Sequence, residues 1–454
     1  MSHLANDARR IWQAGVDAVS PQWLLPREIE VVGHWLRVAD LQLDLRRFDR
    51  LVVVGGGKAG AAMAVGLEAA LGPQILAQKQ LSGWINVPQG TLLPTDAIHL
   101  HPARPPGVNE PRPEGVAGAR QMLAMVAGLT PRDLCLCLLS GGGSALLPAP
   151  AAGVSLEDKI QLARLASAAG ANIEQLNVIR RQVSDIKGGG LARACRAGVL
   201  VTLILSDIPG DRLPLVASGP TIATEAGPDE ALAVLDELGL LNHPDLAAVI
   251  EHLERRQRGP NDESPIMSEL HTFVLANNAT AVDAAGMEAE RLGYQHAMIS
   301  ATKPEGPAEQ VGRHLAQMAL EMRDRGGPNC LISGGEPTVT LVPPDQRGKG
   351  GRNQQLALAA LEVLGGCDHV ALLSGGTDGE DGPTDAAGAW VDSQIVLQAN
   401  RLGLSAADFL ARNDAYHFFE QAGGLLKTGP THTNVCDLRV VVVQCDGPGG
   451  GLST

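Results

Sequence analysis

Short apolar runs recur along the chain with helical patterns between them: Leu51 to Val54, Leu134 to Leu139, Val201 to Leu205, Phe273 to Ala276, Cys330 to Ile332, Val370 to Leu373 and Leu438 to Val443. Runs this short, apolar on both faces and separated by helices, predict an α/β protein with largely parallel sheets. One segment differs: residues 338–342, TVTLV, alternate polar and apolar and predict a hairpin or mixed-sheet strand. The segment RRQRGPNDESP, residues 255–265, is charged, carries two prolines and has little apolar content, which marks a boundary. The expected organisation is an N-terminal α/β domain over 1–254, a linker region at 255–270, a C-terminal α/β domain over 271–445 and a disordered tail at 446–454.

Charge and composition exclude several classes. Lys plus Arg number 36 against 50 Asp plus Glu, a net charge of −14, and the aromatics are only 5 Trp, 2 Tyr and 5 Phe. That balance argues against a nucleic-acid partner, whether held by its phosphates or by base stacking, so any anionic ligand must be held by local donors. The N-terminal stretch MSHLANDARRIWQAGVDAV lacks an uninterrupted apolar core and carries Asp7 and Asp17; it predicts a surface helix with Ile11, Val16 and Val19 turned inward, not a signal peptide. No stretch approaches the ~18 consecutive apolar residues of a membrane helix, so no membrane partner is expected. The 7 cysteines include no CxxC pair and read as reduced and structural, consistent with a cytoplasmic protein.

The 54 glycines follow no collagen period. Many gather in an internal echo: LLSGGGS (138–144), LISGGEP (331–337) and LLSGGTD (372–378), each a strand running into a Ser-Gly-Gly turn. Strand carboxyl ends line the ligand crevice of open parallel sheets, and glycine there lets backbone N–H groups approach a ligand. Three such turns, split between two domains, predict an interdomain cleft for a multiply charged ligand.

Around these turns lie the residues that could carry chemistry. After the first run, GGGKAG places Gly55, Gly57 and Gly60 in the dinucleotide-binding spacing with Gly56 between them, but no acidic residue for a ribose follows about 20 residues on. Lys58 in that loop, beside free backbone donors, suits a phosphate or carboxylate. Ser155 to Asp158 form a capping box on a helix that reads as scaffold. In the next helix Ile173, Leu176, Ile179, Val183 and Ile186 make an apolar face, while Asn177, Arg180, Ser184 and Lys187 form a donor-rich stripe running into Gly188 and two further glycines. Asp207 ends a strand and Asp211 follows a Pro-Gly turn; both suit Mg²⁺ coordination or abstraction of a hydroxyl proton. Arg352 and Asn353 open a helix after a glycine loop, a good anion site. Asp378 and Asp381 are further metal candidates, and Thr433 and Asn434 lie in a hydroxyl-rich turn. The histidines have no zinc-site spacing, and no G-x-S-x-G elbow occurs.

Together these segments resemble the class II glycerate 2-kinase family, whose C-terminal part is the MOFRL domain, here about residues 325–440. The resemblance rests on VVVGGGKAG, LLSGGGSALLPAP, LNVIRRQVSDIKGGGLA, LILSDIPGD followed by ASGPT, SGGEPTVTL, GKGGRNQQLAL, SGGTDGEDGPTDAAGAW and TGPTHTNV, in family order over roughly 51–440. Many family members have Glu where this chain has Gln355, so a carboxylate role there does not transfer. The resemblance implies a Rossmann-like first domain, a second domain with a mixed sheet, and ATP- and Mg²⁺-dependent phosphorylation of D-glycerate to 2-phosphoglycerate in the interdomain cleft. The corresponding expectations are Lys58, Asp207, Arg352 and Asp378 as catalytic groups. Gly55, Gly56, Gly57, Ser140, Gly141, Gly142, Gly143, Ser144, Lys187, Gly188, Ser333, Gly334, Gly335 and Glu336 are expected at the nucleotide. Asn177, Arg180, Ser184, Asn353, Thr433 and Asn434 are expected at the substrate, and Asp207, Asp211, Asp378 and Asp381 at the metal. A homodimer is left open. The rival readings are an NAD(P)H-dependent hydroxypyruvate reductase, on the dinucleotide spacing, and a non-catalytic sugar-acid binding protein.

Overall fold

A computed structural model describes residues 2–105, 110–224, 226–258 and 265–444. The chain forms two compact units. One, the central unit, comprises Pro21–Ile208 and Arg212–Leu275; the other, the terminal unit, comprises Met1–Ser20, Pro209–Asp211 and Ala276–Thr454.

The central unit is built on a six-stranded sheet: β1 (Arg50–Gly56), β2 (Ser82–Pro88), β3 (Ile98–Arg104), β4 (Asp133–Leu139), β5 (Val199–Leu205) and β6 (Glu269–Ala276). Its spatial order is β3-β2-β1-β4-β5-β6, with β1 to β5 mutually parallel through their pairings. This is the doubly wound order, whose switch point falls between the first and fourth strands. In register, Val52 pairs with Cys135 and Gly56 with Leu139, so the turns after β1 and β4 emerge side by side at that switch point. The runs at the centre of the sheet are buried on both faces, with every residue of β4 and β5 buried, whereas in the edge strand β6 Phe273, Val274 and Leu275 are only partly buried.

The terminal unit carries β7 (His296–Ile299), β8 (Cys330–Gly335), β9 (Val370–Gly376), β10 (Gly388–Val391), β11 (Leu425–Leu426) and β12 (Asp437–Val443), in the order β7-β8-β12-β9-β10-β11. Only β7 and β8 pair in parallel; the other pairings are antiparallel, so the sheet is mixed, as the resemblance implies. Thr338 to Val342 is not a strand; Thr338 makes one isolated bridge with Pro307.

Two pieces of chain fall outside the expected domain limits. The N-terminal helix α1 (His3–Ala18) buries Ile11, Trp12 and Val16 against Ile332, Leu373 and Leu438 of the second sheet, so it belongs to the terminal unit. Strand β6 closes the first sheet; Glu269 N–H donates to Gly198 O. The expected linker is helical at its start, within Ala247–Arg258, and its last two residues are strand, while 259–264 lie outside the described residues, as does the tail at 446–454. Of the cysteines, Cys445 is not among the described residues; the other six are free thiols and all but Cys367 are buried.

Helix α2 (Gly60–Gln78) is long and apolar enough to cross a membrane by length and composition. Here it is a core helix that breaks at Gly72 and Pro73. Its buried Glu68 accepts hydrogen bonds from the backbone N–H groups of Asp96, Ala97 and Ile98, which satisfies the charge within the fold. Two further helices frame the central unit's pocket, α3 (Leu156–Ala168) and α4 (Ile173–Gln182), and α5 (Arg352–Leu364) covers the second sheet.

Candidate active site

At the switch point the two glycine turns lock onto each other. Lys58 N–H donates to Gly141 O at 2.8 Å, and Ala59 N–H donates to Ser140 Oγ at 3.0 Å. A Cβ on Gly57 would fall on Ser140, and one on Gly55 would fall on the Leu138 carbonyl. Glycine at these two positions therefore clears space for the neighbouring strand of the same chain, not for a pyrophosphate. Gly142, with φ of 76°, is left-handed and lies against the aliphatic part of Lys58, so the lysine rests on the Ser-Gly-Gly-Gly turn.

Below this turn a cavity of about 480 Å³ is lined by Gly142, Ser144, Lys159, Arg180, Val183 and Lys187, among others. Lys187 is buried and donates to Ser144 O at 2.7 Å; Lys159, also buried, donates to Val183 O at 2.7 Å. Val183 caps the carboxyl end of α4, where helix carbonyls and the dipole favour a cation. Arg180 makes no hydrogen bond or ion pair among the described residues. The one carboxylate among its described lining residues, Glu110, is held by Arg164. Burial, with Arg180 nearby, brings Lys159 down to about 7, and burial lowers Arg180 and takes Lys187 well below the usual lysine range. Three cations face one cavity with backbone carbonyls as the ammonium partners, an arrangement that an anion would complete.

The wall is braced from Ser218, whose Oγ lies 2.9 Å from Ser144 Oγ and whose carbonyl accepts from Gly188 N–H at 3.0 Å. Ala217 and Ser218 both have positive φ, 51° and 63°, followed by Gly219 at 64°. Two consecutive non-glycine residues in the left-handed region cost of order 1–3 kcal/mol each, a strain that concentrates at functional sites.

The expected polar stripe does not survive as one face. Helix α4 ends at Gln182, so Ser184 and Lys187 are no longer at helical offsets from Arg180. Arg180 and Lys187 meet at the cavity, whereas Ser184 lines a different cavity, and Gly188 goes with it. Ile173, expected to be buried, is 45% exposed. Asn177 is buried and turns back to Ile173 O at 2.9 Å, away from the cavity lining. The capping box of Ser155 and Asp158 is present, but the helix it starts also carries Lys159, which its reading as scaffold overlooked.

In the terminal unit Arg352 opens α5 and is held from two sides. It donates to both carboxylate oxygens of Asp437, from Nε at 2.7 Å and Nη2 at 3.0 Å, and from Nη1 to Glu336 at 2.8 Å. Asp437, fully buried at the start of β12, is a partner that the sequence reading did not name. Burial raises Glu336, with Arg352 opposing and Asp437 and Asp378 reinforcing the shift, while the carboxylates hold Arg352 well above its usual range. Ser333 is buried with Oγ unpaired among the described residues, and Gly334 and Gly335 give way to Asn278 and Glu305 of the same chain.

The four aspartates expected at the metal have different fates. Asp381 is buried and accepts from the N–H groups of Asn353 and Gln354 at 3.0 and 2.8 Å, so it caps α5; Asn353 in turn accepts from Ser374 Oγ. Asp211 accepts from Asn277 Nδ2. Asp378 follows β9 and uses one oxygen to cap Glu380 N–H at 3.0 Å, and Asp207 follows β5. Among the described residues no group of three or more His, Cys, Asp or Glu side chains converges as a metal cage. Thr433 is a structural contact, donating to Val19 O at 2.7 Å, and Asn434 beside it is buried. Gln355 donates to Glu309 and to Leu410 O, a packing role.

Comparison with known proteins agrees with this architecture. The family described as "Domain of unknown function (DUF4147)" matches residues 7–254, and the MOFRL family matches residues 329–437. The chain is 36% identical to a glycerate kinase from Mus musculus, over 97% of this chain and 93% of the relative. It is also 36% identical to a putative hydroxypyruvate reductase from Agrobacterium vitis, over 96% and 93%. The crystal structure of a glycerate kinase from Thermotoga maritima superposes with a TM-score of 0.78 at 32% identity, covering 97% of this chain and 99% of that one. The DUF4147 match alone takes in more than half of the residues, and with the MOFRL match behind it the chain belongs to the class II glycerate kinase family.

Proposed function

We propose that this chain is a glycerate 2-kinase that transfers the γ-phosphoryl group of ATP to the 2-hydroxyl of D-glycerate in a Mg²⁺-dependent reaction in the cytoplasm. The observation that carries the reading is the cavity where Lys159, Arg180 and Lys187 converge beneath the Ser140–Ser144 turn. Phosphoryl transfer asks little covalent chemistry of a protein; it needs fixed donors where the phosphate charge spreads, and these three cations supply them, two from buried side chains. Lys58, resting on Gly142, adds a fourth cation, and Arg352, held in one orientation by Asp437 and Glu336, supplies a preset guanidinium edge for an anionic group of the reactants.

Mg²⁺ normally takes one or two carboxylates beside waters and phosphate oxygens, so a single one suffices; the candidates that remain are Asp207 in the central unit and Asp378 in the terminal unit, and the capping residue Asp381 does not enter the set. When bound, the ion neutralises phosphate oxygens; the chain's own part is to orient the nucleotide and the acceptor and to keep water from competing for the phosphoryl group.

The reductase reading draws on the doubly wound sheet and the glycine spacing, but Gly55 and Gly57 are consumed by contacts with β4 and its turn. One assay separates the readings: purified protein with D-glycerate, Mg²⁺ and ATP, analysed for 2- and 3-phosphoglycerate, beside hydroxypyruvate with NADH. The expected product is 2-phosphoglycerate. NADH oxidation without ADP formation overturns the kinase, and binding without turnover in either arm favours a sugar-acid binding protein.

A further inference from the structure

Strand β3 is an edge of the first sheet, and it carries His99 and His101 at positions i and i+2. Side chains two apart on a strand share one face, so the pair is the strand counterpart of the i, i+4 histidines that chelate a metal from a helix.

Three rings meet on that face. Trp84 of β2 stands opposite His99 in the register. The indole lies 4.1 Å from the His99 ring and 5.1 Å from the His101 ring, centre to centre, and the two imidazoles are 6.1 Å apart with their planes inclined by 37°. Two imidazoles that share one divalent ion, each nitrogen about 2.0–2.1 Å from it, have centres about 5–6 Å apart, so side-chain rotation alone brings this pair onto a common metal. The half-buried indole backs both rings and narrows the orientations open to them.

The tautomer of one ring is fixed by its partner. His101 Nε2 lies 2.9 Å from the carbonyl oxygen of Glu114, in the first turn of the helix Pro113–Ala127. A carbonyl only accepts, so Nε2 carries the hydrogen and Nδ1 keeps the lone pair. Metal-ligating histidines characteristically donate their other N–H to a carboxylate or backbone carbonyl, which orients the ring and raises its basicity. His99 is exposed and has no hydrogen bond or ion pair among the described residues.

We propose that His99 and His101 bind a late first-row divalent metal, Cu²⁺ or Zn²⁺, at the edge of the first sheet. Imidazole suits these ions, whereas Mg²⁺ prefers oxygen ligands, so the site is chemically separate from the phosphoryl-transfer metal. Among the described residues no third His, Cys, Asp or Glu joins the pair, so water fills the other positions. Such a site exchanges its ion with solvent and follows the metal concentration; it is not a closed structural cage. The ion holds two rings that the folded strand positions, so occupancy stabilises the native chain.

The test reads no turnover, so its outcome is independent of the kinase reading. Full-length protein in excess Mg²⁺ is titrated separately with Cu²⁺ and with Zn²⁺ by calorimetry. One site per chain is expected, tighter for Cu²⁺ than for Zn²⁺. His99→Gln or His101→Gln alone should lower affinity at least about tenfold, and the double variant should abolish binding. Electron paramagnetic resonance of the Cu²⁺ protein should show two nitrogen ligands, reduced to one in either single variant. Cu²⁺ should also quench part of the tryptophan fluorescence, and Trp84→Phe should remove that part while keeping the nitrogen count. Should His101→Gln not fold by circular dichroism, the exposed His99→Gln carries the comparison. Absence of binding by both ions, or affinity and nitrogen count unchanged in folded His99→Gln, overturns the proposal; binding that survives in the double variant does the same and marks adventitious capture by other histidines.

Discussion

The two units treat the cations at their sites in opposite ways. In the terminal unit Arg352 is neutralised before any ligand arrives, by Asp437 on one edge and Glu336 on the other. In the central unit Lys159 and Lys187 have backbone carbonyls as partners, and Arg180 has no hydrogen bond or ion pair among the described residues. A paired cation stabilises the fold and is fixed in direction; an uncompensated one costs stability until an anion arrives, and that cost is held ready for binding. The first is a positioned tool and the second an open demand for charge.

The contrast breaks most readily at Lys187. Replacement by Met keeps much of the volume and removes a desolvated charge, so kcat/KM is expected to fall about 10³-fold while the urea unfolding free energy holds or rises. A loss of stability comparable to the loss of activity would mean that the ammonium is structural. Asp437→Asn should behave differently. It leaves Arg352 with a poorer partner, so activity should fall about 10²-fold and unfolding free energy by about 2–3 kcal/mol, because breaking a buried pair exposes the cost of its remaining charge. Unchanged stability in that variant would erase the distinction between the units.

Much of this contrast was hidden from the sequence for local reasons. The strands were legible because a run buried on both faces has no polar positions, and all seven runs lie within strands. Periodicity reports burial, not the partner, which is why α1 and β6 were assigned to the wrong unit. The polar stripe from Asn177 to Lys187 assumed one continuous helix, but α4 stops at Gln182, where Ser184 bridges to Pro150. Lys159 sits in a helix whose capping box drew attention to its start. Asp437 could have been noticed as a charge opening a run that is otherwise apolar but for Arg439; burial of both resolves into separate ion pairs, Asp437 with Arg352 and Arg439 with Glu305. The glycine surplus was read as backbone cleared for ligands, yet at Gly55, Gly57, Gly334 and Gly335 it is cleared for the chain itself.

Titration sharpens the comparison with smaller effects of opposite sign. Lys159 falls to about 7 in the fold from 10.5, so between those values the unfolded chain binds more protons and stability rises with pH. Its full contribution is present above the unfolded value and is lost as pH falls through about 7. Asp381 is raised by burial from 3.8 to about 7, so its contribution is present below the unfolded value and is lost as pH rises through about 7. Each group can supply a slope of up to about 1.4 kcal/mol per pH unit inside its own window. Unfolding followed from pH 5 to 10 should lose the alkaline rise in Lys159→Met and keep it in Asp381→Asn; the reverse pattern would exchange the two assignments.

The smallest expected effect decides what Asp381 does. Its two oxygens receive the N–H groups of Asn353 and Gln354, two of the donors that a helix leaves unsatisfied at its start, and Gly351 is bare where a Cβ would fall on the Asp381 carboxyl group. A capping group reached from a distant turn ties α5 to the loop after β9, which also holds Asp378, so Asp381 supports the site by fixing its frame. Asp381→Ala should therefore cost about 1–2 kcal/mol of stability, and Asp381→Asn, which keeps one acceptor, should recover part of it. Neither variant should change the Mg²⁺ concentration needed for half-maximal activity by more than about twofold, because a cap does not touch the ion. A metal ligand would behave otherwise: Asn would raise that concentration by an order of magnitude or more while sparing the fold, and such a result would move Asp381 from the helix terminus to the phosphate chemistry.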